Sequence, residues 1–306
     1  MPPILTSQTA LYPSIGQSVT DRLYLFDVDG TLVTSKSGRL WAQDEKDWIF
    51  LGDIPGTLDR LHKEGWTIAL VSNQGTWSAS SDASNKFTSI LEALYEANGW
   101  TPWCLVAIDK KDKVYRKPGR GLYDLLLKEI GAVKEVRMCG DAVGVRDPYA
   151  PYQWSDVDSG FAKAIGASFV RPVDLFGHSE PVKLAAGQEL VLLMGNPGSG
   201  KSTTATALAA KGYVHVEQDL LKTKEASLKA ARAALKTGKS VVVDATHSSE
   251  TNRQPYQSLG VPVRILWHIR DGRPFNKGRA KPVPAVAYAI YTKYFVEPKD
   301  TVELVY

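Results

Sequence analysis

Residues 23–31 read Leu23-Tyr24-Leu25-Phe26-Asp27-Val28-Asp29-Gly30-Thr31. Four apolar residues running into acid, spacer, acid and glycine describe a buried strand whose carboxyl end carries two carboxylates. Side chains alternate with period two along a strand, so Asp27 and Asp29 leave it on the same side and can face one ligand. About 165 residues further on, the apolar run Leu190 to Met194 enters Gly195-Asn196-Pro197-Gly198-Ser199-Gly200-Lys201-Ser202. This is a complete GxxxxGK[ST] loop in a strand–loop–helix setting, where backbone N–H groups and a helix N-terminus surround a phosphate. Two strand-end sites of different type predict two α/β units.

The chain around each site alternates accordingly. After Asp29 a helix is expected over residues 57–64, closed by Gly65, then a strand from Thr67 to Val71. A helix over about 84–97, a strand over 103–108, a helix over 121–130 and a strand over 136–139 follow, the last entering Gly140-Asp141. Alternation of this kind predicts a parallel sheet with crossover helices. Ligands on such sheets bind at the carboxyl ends of strands, where Asp27, Ser72 and Asp141 fall. Residues 171–188 hold prolines and glycines without a period and read as the connection. A second alternation then runs strand 190–194, helix 202–211, strand 213–216, helix 224–237, strand 240–243 and strand 263–269. The expected division is an extension over 1–20, a first domain over 21–175, a linker over 176–187 and a second domain over 188–306.

Composition narrows the class. A chain of 306 residues accommodates two domains that each bury a core. With only Cys104 and Cys139, a disulfide framework and a cysteine-built metal site are excluded, and a reducing, intracellular setting is expected. A charge of +4 is mildly basic, which suits polyanionic partners. No run of 18 apolar residues and no charged leader occur, so a soluble protein with no membrane partner is expected.

Cleaving a phosphate ester through a covalent intermediate requires a carboxylate nucleophile, an acid for the leaving oxygen, a metal and cations for the phosphate oxygens. Asp27 suits the nucleophile. Asp29 suits the acid, and Thr31 can hydrogen-bond the phosphate. In the second site Lys201 suits the transferring phosphate of ATP and Ser202 its magnesium, with Thr203 next on the helix. A kinase also needs a base and a cationic lid. Asp219, just beyond the strand ending at Val216, suits the base; it could equally cap the next helix. Lys222 could face a phosphate, and Asp244 ends a strand where an acid supports hydrated magnesium. Arg270, Arg273, Lys277, Arg279 and Lys281 follow the last strand as a candidate lid, with Arg279 the first choice for the transition-state arginine.

The first site resembles the haloacid dehalogenase superfamily of phosphohydrolases. On that resemblance Ser72 holds the phosphate, Lys117 in Tyr115-Arg116-Lys117-Pro118 neutralises the intermediate, and Asp141 binds magnesium. Asp158 fits the second magnesium acid, with Asp156 and Asp147 as rivals. Magnesium is thus expected at Asp27, Asp29, Asp141 and Asp158, and at Ser202 in the second site. The implied fold is a Rossmann-like phosphatase followed by a P-loop kinase. In that order the two look like polynucleotide kinase 3'-phosphatases of eukaryotic type, through FDVDGTLVTSKSGRLW, SNQG, YRKPGRGLYD, GNPGSGKST, GYVHVEQD, VVVDATHSSETNR and YTKYFVEP. Phage members carry the opposite order.

This resemblance implies removal of a 3'-phosphate from, and transfer of the ATP γ-phosphate to a 5'-hydroxyl on, DNA or RNA ends. Its lid asparagine falls on Asn276, and a further family arginine falls on Arg253. About 20 residues before the first strand leave no room for the forkhead-associated domain of the animal enzymes, so scaffold recruitment is not expected. A monomer is expected, nuclear if the host is a eukaryotic cell. Trp41, Trp48, Trp77 and Trp154 are candidate base-stacking residues. Two competing readings are a small-molecule kinase fused to a metabolite phosphatase, and an end-binding module with relic sites.

Overall fold

A computed structural model describes residues 3–39, 41–75, 82–144, 155–176, 182–276, 282–299 and 302–305. The chain divides into two compact units, residues 1–35 with 41–178, and residues 36–40 with 179–306.

In the first unit the elements run β1 (Ile4–Leu5), β2 (Thr9–Tyr12), β3 (Arg22–Phe26), β4 (Val33–Ser35), β5 (Trp48–Phe50), α1 (Ile54–Lys63) and β6 (Thr67–Asn73). They continue with α2 (Asp82–Asn98), β7 (Trp103–Ala107), α3 (Gly121–Ile130), β8 (Glu135–Cys139), α4 (Val157–Ile165), β9 (Ser168–Val170) and α5 (Pro172–Phe176). Seven strands form one sheet in the order β1-β2-β7-β6-β3-β8-β9. From β7 to β9 every pairing is parallel, as the helix–strand alternation implies. Strand alternation splits the apolar residues between the two faces: Tyr24, Phe26, Ile68 and Leu70 enter one core, Leu23, Leu25, Ala69 and Val71 the other. Such double-sided burial accounts for near-continuous apolar strands. Helix α1 begins three residues earlier than its apolar spacing indicates, because the Asp53 side chain accepts from Gly56 N at 3.0 Å and caps it.

The segment expected as an extension supplies the edge of this sheet. β2 pairs antiparallel with β7, Leu11 opposite Leu105, and all four of its residues are buried. The β4–β5 hairpin after the first site is also an addition to the expected pattern.

In the second unit β10 (Leu190–Gly195) leads into α6 (Lys201–Ala209), then β11 (Val214–Glu217), α7 (Gln218–Leu221), α8 (Lys224–Leu235), β12 (Val241–Asp244) and α9 (Glu250–Gln257). β13 (Val263–His268), α10 (Arg273–Asn276), α11 (Ala285–Tyr294) and β14 (Val302–Val305) complete it. Its five strands are all parallel, in the order β11-β12-β10-β13-β14. Val191 and Leu193 of β10 pack on Ala205 and Leu208 of α6, fixing the helix N-terminus at the end of the central strand. Among the described residues, no helix is long and apolar enough to cross a membrane.

Candidate functional site

Asp27, Asp29, Ser72, Lys117, Asp141 and Asp158 line one cleft of roughly 470 Å3 at the carboxyl ends of β3, β6 and β8. One carboxylate oxygen from each of Asp27, Asp141 and Asp158 lies within 4.8 Å of the others, and all three residues are buried. Asp158 opens α4, and its Oδ2 accepts from the Ala142 N–H at 3.0 Å. Gly140 makes that approach possible, since a Cβ there would stand 2.6 Å from the Asp158 Cβ. Asp156 instead precedes α4 as its cap residue, and Asp147 lies outside the described residues.

Lys117 meets this cluster with Nζ 2.5 Å from Asp27 Oδ1 and 2.7 Å from Asp158 Oδ1. Its backbone is pinned by Asn73, which donates from Nδ2 to Lys117 O and accepts from Lys117 N at Oδ1, both at 2.9 Å. Burial pushes the Asp27 carboxyl up to about 7 against the pull of Lys117. Asp141 is pushed well above the carboxylate range, first by burial and then by the charges of Asp27 and Asp158. Its Oδ2 has no hydrogen-bond partner among the described residues. Three converging carboxylates with an unpartnered oxygen suit a hard, oxygen-seeking divalent cation such as magnesium.

Asp29 stands apart from that cluster. Both its oxygens lie 3.0 Å from Lys86 Nζ, and Gln74 Nε2 donates to Oδ2 at 2.8 Å and to Ser72 Oγ at 3.0 Å. Asp29 is among the expected magnesium positions; among the described residues its carboxylate pairs with Lys86 and is not one of the three converging acids. Thr31 is fully buried, with Oγ1 3.4 Å from Asp27 Oδ2 and from Asp141 Oδ1, so its hydroxyl is turned to the acids. Lys86 is absent from the candidates the sequence offers, and Asn73 and Gln74 enter there only within the SNQG stretch, without a role. For Lys86 a signal existed, because it sits four and eight residues before Ile90 and Leu94 on the buried stripe of α2.

In the second unit Gly195 ends β10, Asn196, Pro197, Gly198, Ser199 and Gly200 connect it to α6, and Lys201, Ser202 and Thr203 form the first helical turn. Lys201 Nζ donates to Gly195 O at 2.9 Å and Asn196 O at 2.8 Å, which keeps the ammonium within the loop. Gly272 after β13 braces the loop from outside. Its N–H donates to Asn196 Oδ1 at 2.9 Å, and a Cβ there would meet Pro197 O at 1.9 Å. His268 and His247 are buried nearby. Burial, reinforced by the Lys201 charge, pushes His268 down to about 3; burial pushes His247 down to about 4.

Asp219 lies exposed on α7 directly after β11, and Lys222 closes α7 with φ +67°. Gln218 beside Asp219 lines a cleft of roughly 400 Å3 with Lys224, Thr246, His247, Ser248, Asn252, Ile290 and Tyr294. Thr246 ties this cleft to the phosphate loop by accepting from Gly195 N at 3.2 Å. Asp244, expected near magnesium, ends β12 and is buried. Arg253 is buried on α9, where Nη1 donates to His247 O at 2.8 Å and supports the loop after β12. Asn276 spends both ends of its amide on the Val283 backbone, at 2.7 Å each. Arg279, Lys277, Lys281, Trp77 and Trp154 lie outside the described residues. Trp41 lines the phosphatase-type cleft; Trp48 packs on Phe50 and donates to Ser89 Oγ at 2.7 Å.

A family model described as polynucleotide kinase 3 phosphatase matches residues 22–176, and one described as an AAA domain matches residues 190–271. The bifunctional polynucleotide phosphatase/kinase of Schizosaccharomyces pombe is 30% identical over 92% of this chain and 81% of its own length. A candidate bifunctional polynucleotide phosphatase/kinase of Acanthamoeba polyphaga mimivirus is 26% identical over 91% of this chain and 82% of its own length. Among solved structures, the D,D-heptose 1,7-bisphosphate phosphatase of B. bronchiseptica covers 51% of this chain and 94% of its own, at 20% identity and TM-score 0.38.

Proposed function

We propose, for a chain that belongs to the polynucleotide kinase 3 phosphatase family, a bifunctional enzyme that heals nucleic-acid ends: its first unit removes a 3'-phosphate and its second phosphorylates a 5'-hydroxyl. The observation that carries this reading is the presence of both clefts in one chain that a phosphatase/kinase relative matches over 92% of its length.

In the first unit Asp27 attacks phosphorus, and the leaving 3'-oxygen takes a proton from Asp29. Asp29 then removes a proton from the water that releases phosphate from Asp27. Lys117 balances the charge on Asp27, while Ser72 at the cleft wall donates to a phosphate oxygen. Asp27, Asp141 and Asp158 would hold magnesium, which supplies positive charge to the phosphate oxygens.

In the second unit the loop from Gly195 to Gly200 and the N-terminus of α6 bind the ATP phosphates, with Lys201 as their cation, and the Ser202 hydroxyl would hold the magnesium that accompanies them. Asp219 takes the proton of the acceptor 5'-hydroxyl. The cleft around Gln218 and Thr246 receives the acceptor strand, with Tyr294 and Ile290 as an apolar wall for a base and Lys224 for a backbone phosphate.

The test uses purified protein, a 5'-hydroxyl oligonucleotide with γ-labelled ATP, and a 3'-phosphorylated oligonucleotide. Label transfer lost in Lys201→Ala, and phosphate release lost in Asp27→Asn, are expected. Oligonucleotides should outcompete nucleosides and sugar phosphates in both reactions; preference for the small molecules would overturn the polynucleotide assignment.

A further inference from the structure

Behind the wall of the first cleft, paired with Asp29, lies a buried cation that the phosphate chemistry leaves unexplained. Lys117 already serves Asp27 and Asp158. Lys86 comes from a different element, α2, is 1% exposed, and reaches only Asp29 among the described carboxylates. Taking an ammonium out of water is costly, and a buried ion pair is often no better for stability than apolar residues of the same volume. A cation retained there points to the group it holds.

The contacts say how it holds that group. A carboxylate offers about two acceptor positions on each oxygen. On Asp29, Oδ2 accepts from Lys86 and from Gln74, while Oδ1 accepts from Lys86 alone. Among the described residues this leaves one acceptor position, on Oδ1, and Asp29 borders the cleft. We infer that Lys86 is a positioning residue: with Gln74 it fixes the Asp29 rotamer so that Oδ1 carries the proton exchanged with the leaving oxygen and then with water. The step balances as proton transfer from Oδ1 to the departing 3'-oxygen as the P–O bond breaks, followed by return of a proton from the attacking water. This inference rests on the assignment of Asp29 as acid and base.

The test compares two substrates whose leaving groups differ in need for a proton. Lys86→Met should lower kcat for a 3'-phosphorylated oligonucleotide about 100-fold, the usual reach of a placed acid, with KM little changed. With p-nitrophenyl phosphate, whose leaving phenolate needs no proton, the first turnover should stay fast. Water attack should then lag, giving a burst of one p-nitrophenolate per site. Lys86→Arg should restore most of the oligonucleotide rate. An equal loss of first-turnover rate on both substrates, or no loss on either, would overturn the inference. If Lys86→Met does not fold, Gln74→Leu removes the other hold on Oδ2, and it should show the same substrate preference more weakly; no preference overturns the inference. Asp29→Asn is the reference: should it fail to discriminate between the substrates, the acid–base assignment falls, whereas discrimination by Asp29→Asn but not by Lys86→Met sinks only the role of Lys86.

Discussion

Magnesium should stabilise the first unit by an amount that rises with pH. Asp27 has its carboxyl moved from 3.8 to about 7, chiefly by burial. Between those values the folded chain keeps a proton that the unfolded chain has lost. For this one proton, stability falls as pH rises by at most about 1.4 kcal/mol per pH unit, and the loss reaches about 4 kcal/mol once pH passes 7. Asp141, displaced in the same direction, adds to the slope. A divalent cation binds the ionised carboxylates and offsets the loss, so its effect should be small near pH 5 and largest above about pH 7. For a unit of this size, about 4 kcal/mol corresponds to a melting shift on the order of 10 °C. Thermal melts with and without magnesium across this range read the difference directly. Asp141→Asn, which keeps the shape and removes a ligand charge, should abolish most of it. A magnesium shift that is independent of pH, or one that survives in Asp141→Asn, would mean that the buried acids do not hold the cation.

Three further outcomes follow from the packing. Gly140→Ala should abolish phosphatase turnover and spare the kinase, because the new Cβ would stand 2.6 Å from the Asp158 Cβ and push that acid off the cluster; assays of both activities on one preparation check it. Gly272→Ala should do the reverse, since its Cβ would lie 1.9 Å from Pro197 O and distort the phosphate loop, costing about 1–3 kcal/mol in the melt of the second unit. The second unit should also lose stability in acid. His247, moved from 6.5 to about 4, is neutral when folded, so the stability present above about pH 6.5 is lost as pH falls toward 4, by about 3 kcal/mol; acid unfolding of wild type against His247→Asn measures it.

The two site-bearing strands were legible because their cues are local. A run such as Leu23 to Phe26 ending in Asp27-Val28-Asp29 states both its burial and where its acids emerge, and the glycine-rich loop states its own geometry. Asp158 is one of three acids the sequence offers; what brings it beside Asp27 and Asp141 is the approach past Gly140 and the reach of Lys117, both long-range contacts. Lys86 was missed for the same reason. Its position on the buried stripe of α2 is visible in the sequence, yet the partner that makes burial tolerable lies 57 residues away. β1 and β2 went unseen because a short antiparallel edge adds to a sheet by backbone pairing with β7, which no periodicity announces. Gly272 and Asn196 likewise meet only through the register of β10 and β13.

If Asp27 and Lys201 serve the two sides of one break, they should act in succession on a single substrate. A nicked duplex with a 3'-phosphate facing a 5'-hydroxyl, incubated with the protein, ATP and magnesium and then with a ligase unable to process ends, measures this directly. Wild type should give sealing, Asp27→Asn or Lys201→Ala alone should give none, and a mixture of the two variants should restore it. Sealing by either variant alone, or no sealing by wild type, would contradict these roles of Asp27 and Lys201.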